Sequence, residues 1–155
     1  MRKLILVSAL LAALAVAPAA HSTIVVQRSI AGVALGVSEN DVIATLGQPP
    51  KIRKYTVPEI GLKERILDYG LTEVYVSDDF VNLITTTSKT ESTTNGARVG
   101  ISEKALKQKV KGLKCETFRG SRSCSRGQFL AGKKVTTFFF KRKKVARISM
   151  GYVID

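Results

Sequence analysis

Residues 31–45 read AGVALGVSENDVIAT, and residues 95–109 read NGARVGISEKALKQK. Gly32, Gly36, Ser38 and Glu39 of the first phrase meet Gly96, Gly100, Ser102 and Glu103 of the second, each 64 positions on. The same offset lays LTEVYVSDDFVNLIT (71–85) over VTTFFFKRKKVARIS (135–149), with Thr72 on Thr136, Val81 on Val145 and Ile84 on Ile148. One offset held without a gap across about fifty positions points to a tandem duplication, with copies at 30–93 and 94–155. This constrains the fold more than any other feature of the chain, because both copies must then be built on one plan.

That plan starts with a short helix. Ser38 and Ser102 suit N-caps, since a serine oxygen can accept from the free amides of a first turn. Asp41 stands three residues after Ser38, close to a capping box. The apolar spacing predicts helices over 38–46 and 102–111, with Val42, Ile43 and Leu46 on one stripe and Ala105, Leu106 and Val110 on the other. Gly47 and Gly112 are the expected stops, and Pro49-Pro50 forbids continuation in the first copy. Strand-like sequence follows at 51–57, 64–69, 71–77 and 80–87, then at 114–119, 123–130, 134–140 and 144–152. The expected fold class is α+β: a tandem repeat of a short helix and a four-stranded antiparallel sheet, the two units packed into one domain. A unit of about 60 residues buries too little surface to be secure alone, so two copies sharing a core make physical sense.

Not all 155 residues belong to that fold. Residues 1–19 carry Arg2 and Lys3, an apolar run from Leu4 to Val16, and Ala17-Pro18-Ala19. This is the pattern of a signal peptide cleaved after Ala19, and its apolar run is shorter than the roughly 20 residues a membrane-spanning helix needs. The chain is therefore expected to be exported, secreted or held at the cell envelope, with no transmembrane segment after cleavage. Residues 20–29 form an N-terminal segment before the first copy. Cys115 and Cys124 are the only cysteines. In an exported chain, a close pair on two turn-linked strands reads as a disulfide.

The two copies differ in charge. Residues 30–93 hold 6 Lys/Arg and 9 Asp/Glu, a net of −3; residues 94–155 hold 16 and 3, a net of +13.

The phrase G-x-x-x-G-x-S-x-x-x-V-x-x-x-L-G-x-P, Gly32 to Pro49, resembles the opening of the SmpA/OmlA (BamE-like) envelope modules, and VYVSDDFVNLI resembles their closing hairpin. The tandem arrangement resembles the beta-lactamase inhibitory protein family, secreted bacterial proteins in which two helix-plus-four-strand units follow one another. In that family a cysteine after the helix pairs with one on a following strand, as Cys115 and Cys124 would here. Lys51 and Ile60 occupy the matching positions of the first copy, so one bridge is absent. The lipidated cysteine of the SmpA/OmlA proteins is also missing. The resemblance implies a protein-binding module with a concave sheet surface, and it transfers no inhibitor contact residues.

Catalytic chemistry finds little support. His21 is the only histidine and lies beside the expected mature N-terminus. No G-x-S-x-G elbow, H-E-x-x-H or P-loop is present. Glu64 with Asp68 and Asp78 with Asp79 are carboxylate pairs, but the second falls in an expected hairpin turn. The chain is read as a non-enzyme, with no cofactor and no metal-ligand pattern.

Binding is the favoured use. Val74 and Val76 align with Phe138 and Phe140, which places these four toward the helix; Tyr75 and Phe139 then point to the opposite sheet face. Exposed aromatics are effective anchors for a partner. Lys141, Arg142, Lys143 and Lys144, at the hairpin beyond Phe139, would guide approach. The expected function is a secreted, inhibitor-like protein-binding module, its partner another exported or envelope protein. The alternative is an envelope-associated module binding anionic cell-surface polymer or lipid through its basic second copy. The run KKVTTFFFKRKK mixes cations and aromatics, but it lacks the RRM pattern and the leader directs the chain away from nucleic acid. Val81 and Ile84 repeat as Val145 and Ile148, yet they have opposite parity on a regular strand, which leaves the register of both hairpins open.

Overall fold

A computed structural model describes residues 23–58 and 61–154. The expected signal peptide, its cleavage point at Ala19 and His21 lie outside the described residues. The described residues open with three two-residue strands, β1 (Ile24–Val25), β2 (Ser29–Ile30) and β3 (Val33–Ala34), which pair as a small antiparallel sheet. Then come α1 (Glu39–Leu46) and the strands β4 (Lys51–Val57), β5 (Leu62–Asp68), β6 (Thr72–Ser77) and β7 (Phe80–Thr86). The helix α2 (Glu103–Lys109) precedes β8 (Lys114–Phe118), β9 (Ser121–Arg126), β10 (Lys134–Lys141) and β11 (Lys144–Tyr152).

These eight longer strands make one antiparallel sheet in the order β4-β5-β6-β7-β11-β10-β9-β8. The seam pairs Leu83 with Gly151, Ile84 with Met150, Thr85 with Ser149 and Thr86 with Ile148. This overturns the α+β expectation of two helix-plus-four-strand units. Among the described residues strands dominate, the helices have only eight and seven residues, and there is one continuous eight-stranded sheet and a separate three-stranded one. The physical reason lies at the seam: left unpaired, β7 and β11 would each present a row of bare amides and carbonyls to solvent. The core is likewise single. Ile24, Ile30 and Val33 of the small sheet, Val42 of α1, Leu106 of α2, and Val74, Ile84, Phe138, Ile148 and Met150 of the large sheet pack as one cluster.

The helix starts follow the sequence closely. Ser38 Oγ accepts from Asp41 N at 3.2 Å, and Asp41 Oδ2 accepts from Ser38 N at 3.0 Å, completing a capping box. The Ser38 hydroxyl, which donates to Asp41 Oδ2 at 2.7 Å, and then the Ser38 N–H hold the Asp41 carboxyl below its usual range. Ser102 Oγ accepts from Ala105 N at 3.2 Å. The second helix stops at Lys109, before Gly112, because Val110 adopts an extended backbone and sends its side chain into the core. Each helix start is stitched to the returning strand. Gly36 N donates to Val81 O and Val81 N to Val37 O, and Gly100 N donates to Val145 O and Val145 N to Ile101 O. The four bonds recur in pairs 64 residues apart, at 2.8–2.9 Å.

The hairpin register comes from two bulges. Tyr75 pairs with Leu83 while Val76 pairs with Val81, so Asn82 is an extra residue; Phe139 pairs with Arg147 while Phe140 pairs with Val145, so Ala146 is another. One inserted residue restores parity, and Val81, Ile84, Val145 and Ile148 all point into the core. The turns Asp78-Asp79 and Arg142-Lys143 have positive φ at both positions, the geometry of two-residue primed hairpin turns.

Among the described residues, no helix is long and apolar enough to cross a membrane.

A candidate binding face on the eight-stranded sheet

Strand alternation assigns the two faces. Val74, Val76 and Phe138 are buried against the helices and the small sheet, and Phe140 packs at the margin of that core. Tyr75 and Phe139 therefore project from the opposite face, where both are half-buried.

Each aromatic is fixed by charged neighbours. The Tyr75 hydroxyl donates to Glu73 Oε2 at 2.9 Å, and Glu73 Oε1 accepts from Arg53 Nη2 at 2.5 Å. Arg53 Nε in turn lies 3.5 Å from Asp68 Oδ2. Partial burial, and then the hydrogen bond and charge of Glu73, push the Tyr75 phenol up to about 12, against the opposing fields of Arg53 and Arg147. Phe139 lies under Arg147, whose guanidinium carbon is 4.3 Å from the ring centroid. The stack exists because the Ala146 bulge moves Arg147 opposite Phe139; a regular hairpin would have paired Phe139 with Ala146. Arg147 thus influences both aromatics, and sequence reasoning missed it because the bulge was not legible.

A second feature also emerges only from the register. One row of cross-strand partners on this face runs Lys51, Asp68, Glu73, Thr85, Ser149, Thr137, Ser125, Lys114, one residue from each strand. Four hydroxyls therefore occupy the middle of the row. Ser125 and Thr137 share a hydrogen bond of 3.0 Å, and the hydroxyls of Thr85 and Ser149 face the same side. Beside Tyr75, Asn82 Nδ2 donates to Glu64 Oε1 and to Ser77 Oγ, both at 2.8 Å, while its own buried Oδ1 has no partner. The face offers aromatics, an arginine and hydroxyls. These are groups suited to the polar surface of another protein.

The four hairpin cations do not act together. Lys141 has the parity of Phe139 and lies on its side of β10. Arg142 and Lys143 turn toward α2 and line a cleft of about 460 Å³ with Ser102, Glu103, Arg122 and Phe140. Lys144 borders a separate hollow with Lys89 and Arg98. In the α2 cleft, Glu103 accepts from Arg122 Nε at 3.0 Å and Nη2 at 2.6 Å and meets Lys107 Nζ at 2.7 Å. Arg122 first and Lys107 second hold the Glu103 carboxyl down to about 2. Arg65 makes a matching tie to Glu39 of α1 at 2.9 Å.

Cys115 and Cys124 are directly opposite on β8 and β9 and are joined in a disulfide, with Cα atoms 3.9 Å apart. Glu103 is close enough to the two sulfurs to complete a three-ligand set, but the sulfurs are bonded to each other and the carboxylate is engaged by Arg122 and Lys107.

No protein-family model matches the chain, and no curated protein matches it in sequence. Solved structures do resemble it in shape. An extracellular protein containing an SCP domain, from Bacillus anthracis, superposes with a TM-score of 0.52 at 8% identity, over 76% of this chain and 44% of that one. This chain therefore spans less than half the length of that structure. The uncharacterized protein yfeY from Escherichia coli gives a TM-score of 0.48 at 15% identity, over 84% and 97% of the two chains. A DUF4309 family protein, YjgB from Bacillus subtilis, gives 0.43 at 10% identity, over 74% and 78%. At these identities the likeness to the SCP-domain protein is one of fold alone.

Proposed function

We propose that the chain is an exported, non-enzymatic protein-binding module that holds its partner on the sheet face carrying Tyr75 and Phe139. The observation that carries this reading is the treatment of the two aromatics: each is half-buried, turned away from the core and locked by a charged neighbour. A pre-set aromatic loses little freedom on docking and so contributes more of its contact energy to affinity. The leader-like residues 1–19, the disulfide, and the resemblance to secreted inhibitory proteins and envelope modules support export and binding. The contacts that recur 64 residues apart support the duplication. The partner should be an exported or envelope protein with an acidic rim, to complement Arg147 and Lys141.

The competing reading places an anionic envelope polymer or lipid on the basic second half. Salt separates the two, because charge-driven binding collapses as salt rises while an aromatic-centred interface persists. Immobilised protein should retain a partner from culture supernatant or envelope extract at high salt, and Phe139→Ala should release it with little change in melting temperature. Retention only at low salt, unaffected by Phe139→Ala, would transfer the function to the cations.

A further inference from the structure

Away from the Tyr75–Phe139 region, a cleft of about 430 Å³ opens between the Gln27 turn, the α2–β8 connection and the β9–β10 connection. Lys114, Arg126, Lys133 and Lys134 line it with Gln27 and Gln128, and no carboxylate contributes. Among the described residues, the ion-paired cations are Arg53, Arg65, Lys107 and Arg122, so none of these four is neutralised. A concave wall of one sign concentrates its field and draws in ions of the other.

The backbone is shaped around the cleft. A Cβ on Gly112 would come 2.2 Å from Arg126 Nη1, and a Cβ on Gly127 would come 2.6 Å from the Lys134 carbonyl oxygen. At Gly127 the clash is with backbone, so only glycine permits the close approach of β10; at Gly112 it is with the mobile end of Arg126, and the left-handed φ of 68° is what favours glycine there. Arg126 Nη1 donates to the Gly112 carbonyl at 3.4 Å. Gln27 closes the opposite wall: its N–H donates to Thr136 Oγ1 at 2.8 Å and its amide Nε2 to the Lys134 carbonyl at 3.0 Å. This holds Gln27 at φ 62°, a left-handed conformation costly for a residue with a Cβ.

We propose that this cleft binds a phosphate-bearing ligand with two or more negative charges. Four cations without a carboxylate partner, Lys134 among them with its ammonium 5.5 Å from the Tyr152 ring centroid, exceed what one carboxylate can offset. A guanidinium fork matches phosphate oxygens in pairs, and the lysines add point charges. The phosphate can be carried by a small soluble ester or by a lipid headgroup. The site does not depend on the protein-binding reading, since it shares neither aromatic anchor.

Pyrophosphate titration by calorimetry tests the site, alongside sedimentation with phosphatidylcholine vesicles containing or lacking phosphatidylglycerol. Arg126→Gln should weaken binding at least about tenfold. Lys114→Gln, an exposed change with little consequence for folding, should weaken it measurably. Neutralising Lys141–Lys144 should leave it unchanged. Pyrophosphate binding without vesicle binding supports the proposal and makes the ligand a soluble ester; vesicle binding abolished by Arg126→Gln supports it and makes the ligand a lipid. Absence of binding to both probes, equal binding of succinate and pyrophosphate, or an equal loss from the hairpin variant overturns it.

Discussion

Arg147 sits over the ring of Phe139 because Ala146 is an extra residue in the hairpin between them. A double-mutant cycle with Phe139→Leu and Arg147→Met, followed by urea unfolding, should return a coupling of about 0.5–1 kcal/mol, the range of a solvent-accessible cation–π pair. Additive effects would mean that the ring and the guanidinium are independent, and the pre-set anchor would lose its basis.

Tyr75 makes stability fall in alkali. Its phenol ionises near 10 in the unfolded chain and at about 12 in the folded one, so between these values the unfolded state has released more protons. Stability from this group is complete below about pH 10 and is lost as pH rises toward 12. Tyr75→Phe should flatten that part of the unfolding-versus-pH curve, and spectrophotometric titration should show one fewer late-ionising phenol.

Glu103 works in the other direction. Its carboxyl stays ionised down to about 2 because of Arg122 and Lys107, against a usual value of 4.5. The stabilisation is present above pH 4.5 and disappears as pH falls toward 2. Its exposure to solvent keeps the effect small. Glu103→Gln should lower the melting temperature slightly at neutral pH and leave it unchanged near pH 2, so that its acid sensitivity falls.

The Arg142-Lys143 turn holds two long side chains at left-handed φ, where asparagine and glycine are far better suited. Replacing the pair by Asn-Gly should raise unfolding stability by about 1 kcal/mol, read from the urea midpoint. No gain would mean that contacts in the α2 cleft compensate for the strain.

Much of the fold was legible because the local rules agreed with the tertiary ones. Ser38 and Ser102 cap their helices, the long strands lie close to their expected positions, and alternation placed Val74, Val76 and Phe138 inside. What failed depended on events between strands. Nothing in the sequence of β7 or β11 announces that they pair with each other, so the seam that makes one eight-stranded sheet of the two halves was not legible. The bulges at Asn82 and Ala146 are single insertions without a glycine or proline to mark them, which concealed Arg147 and the hydroxyl row. Two-residue strands carry no alternation at all, so the sheet of β1 to β3 could not be seen. The charged run 141–144 looked like one patch, but its turn geometry distributes the side chains to different sides.

The seam itself can be tested. A Cβ on Gly151 would lie 2.9 Å from Leu83 Cδ1 and 3.2 Å from the Asn82 carbonyl oxygen. Gly151→Ala should cost about 1–2 kcal/mol, and Leu83→Val in the same chain should recover part of it. Full stability in Gly151→Ala would show that β7 and β11 separate more easily than their pairing suggests.

That pairing also sets a timetable for synthesis. β7 finds β6 across a two-residue turn, but its other neighbour, β11, lies more than sixty positions further along the chain. Until β11 is made, β7 is a bare edge beside an unfinished core, able to accept any strand that comes near. Closure over such a sequence distance is slow compared with hairpin formation. A nascent chain of this design therefore carries that exposed edge until β11 has been made and paired.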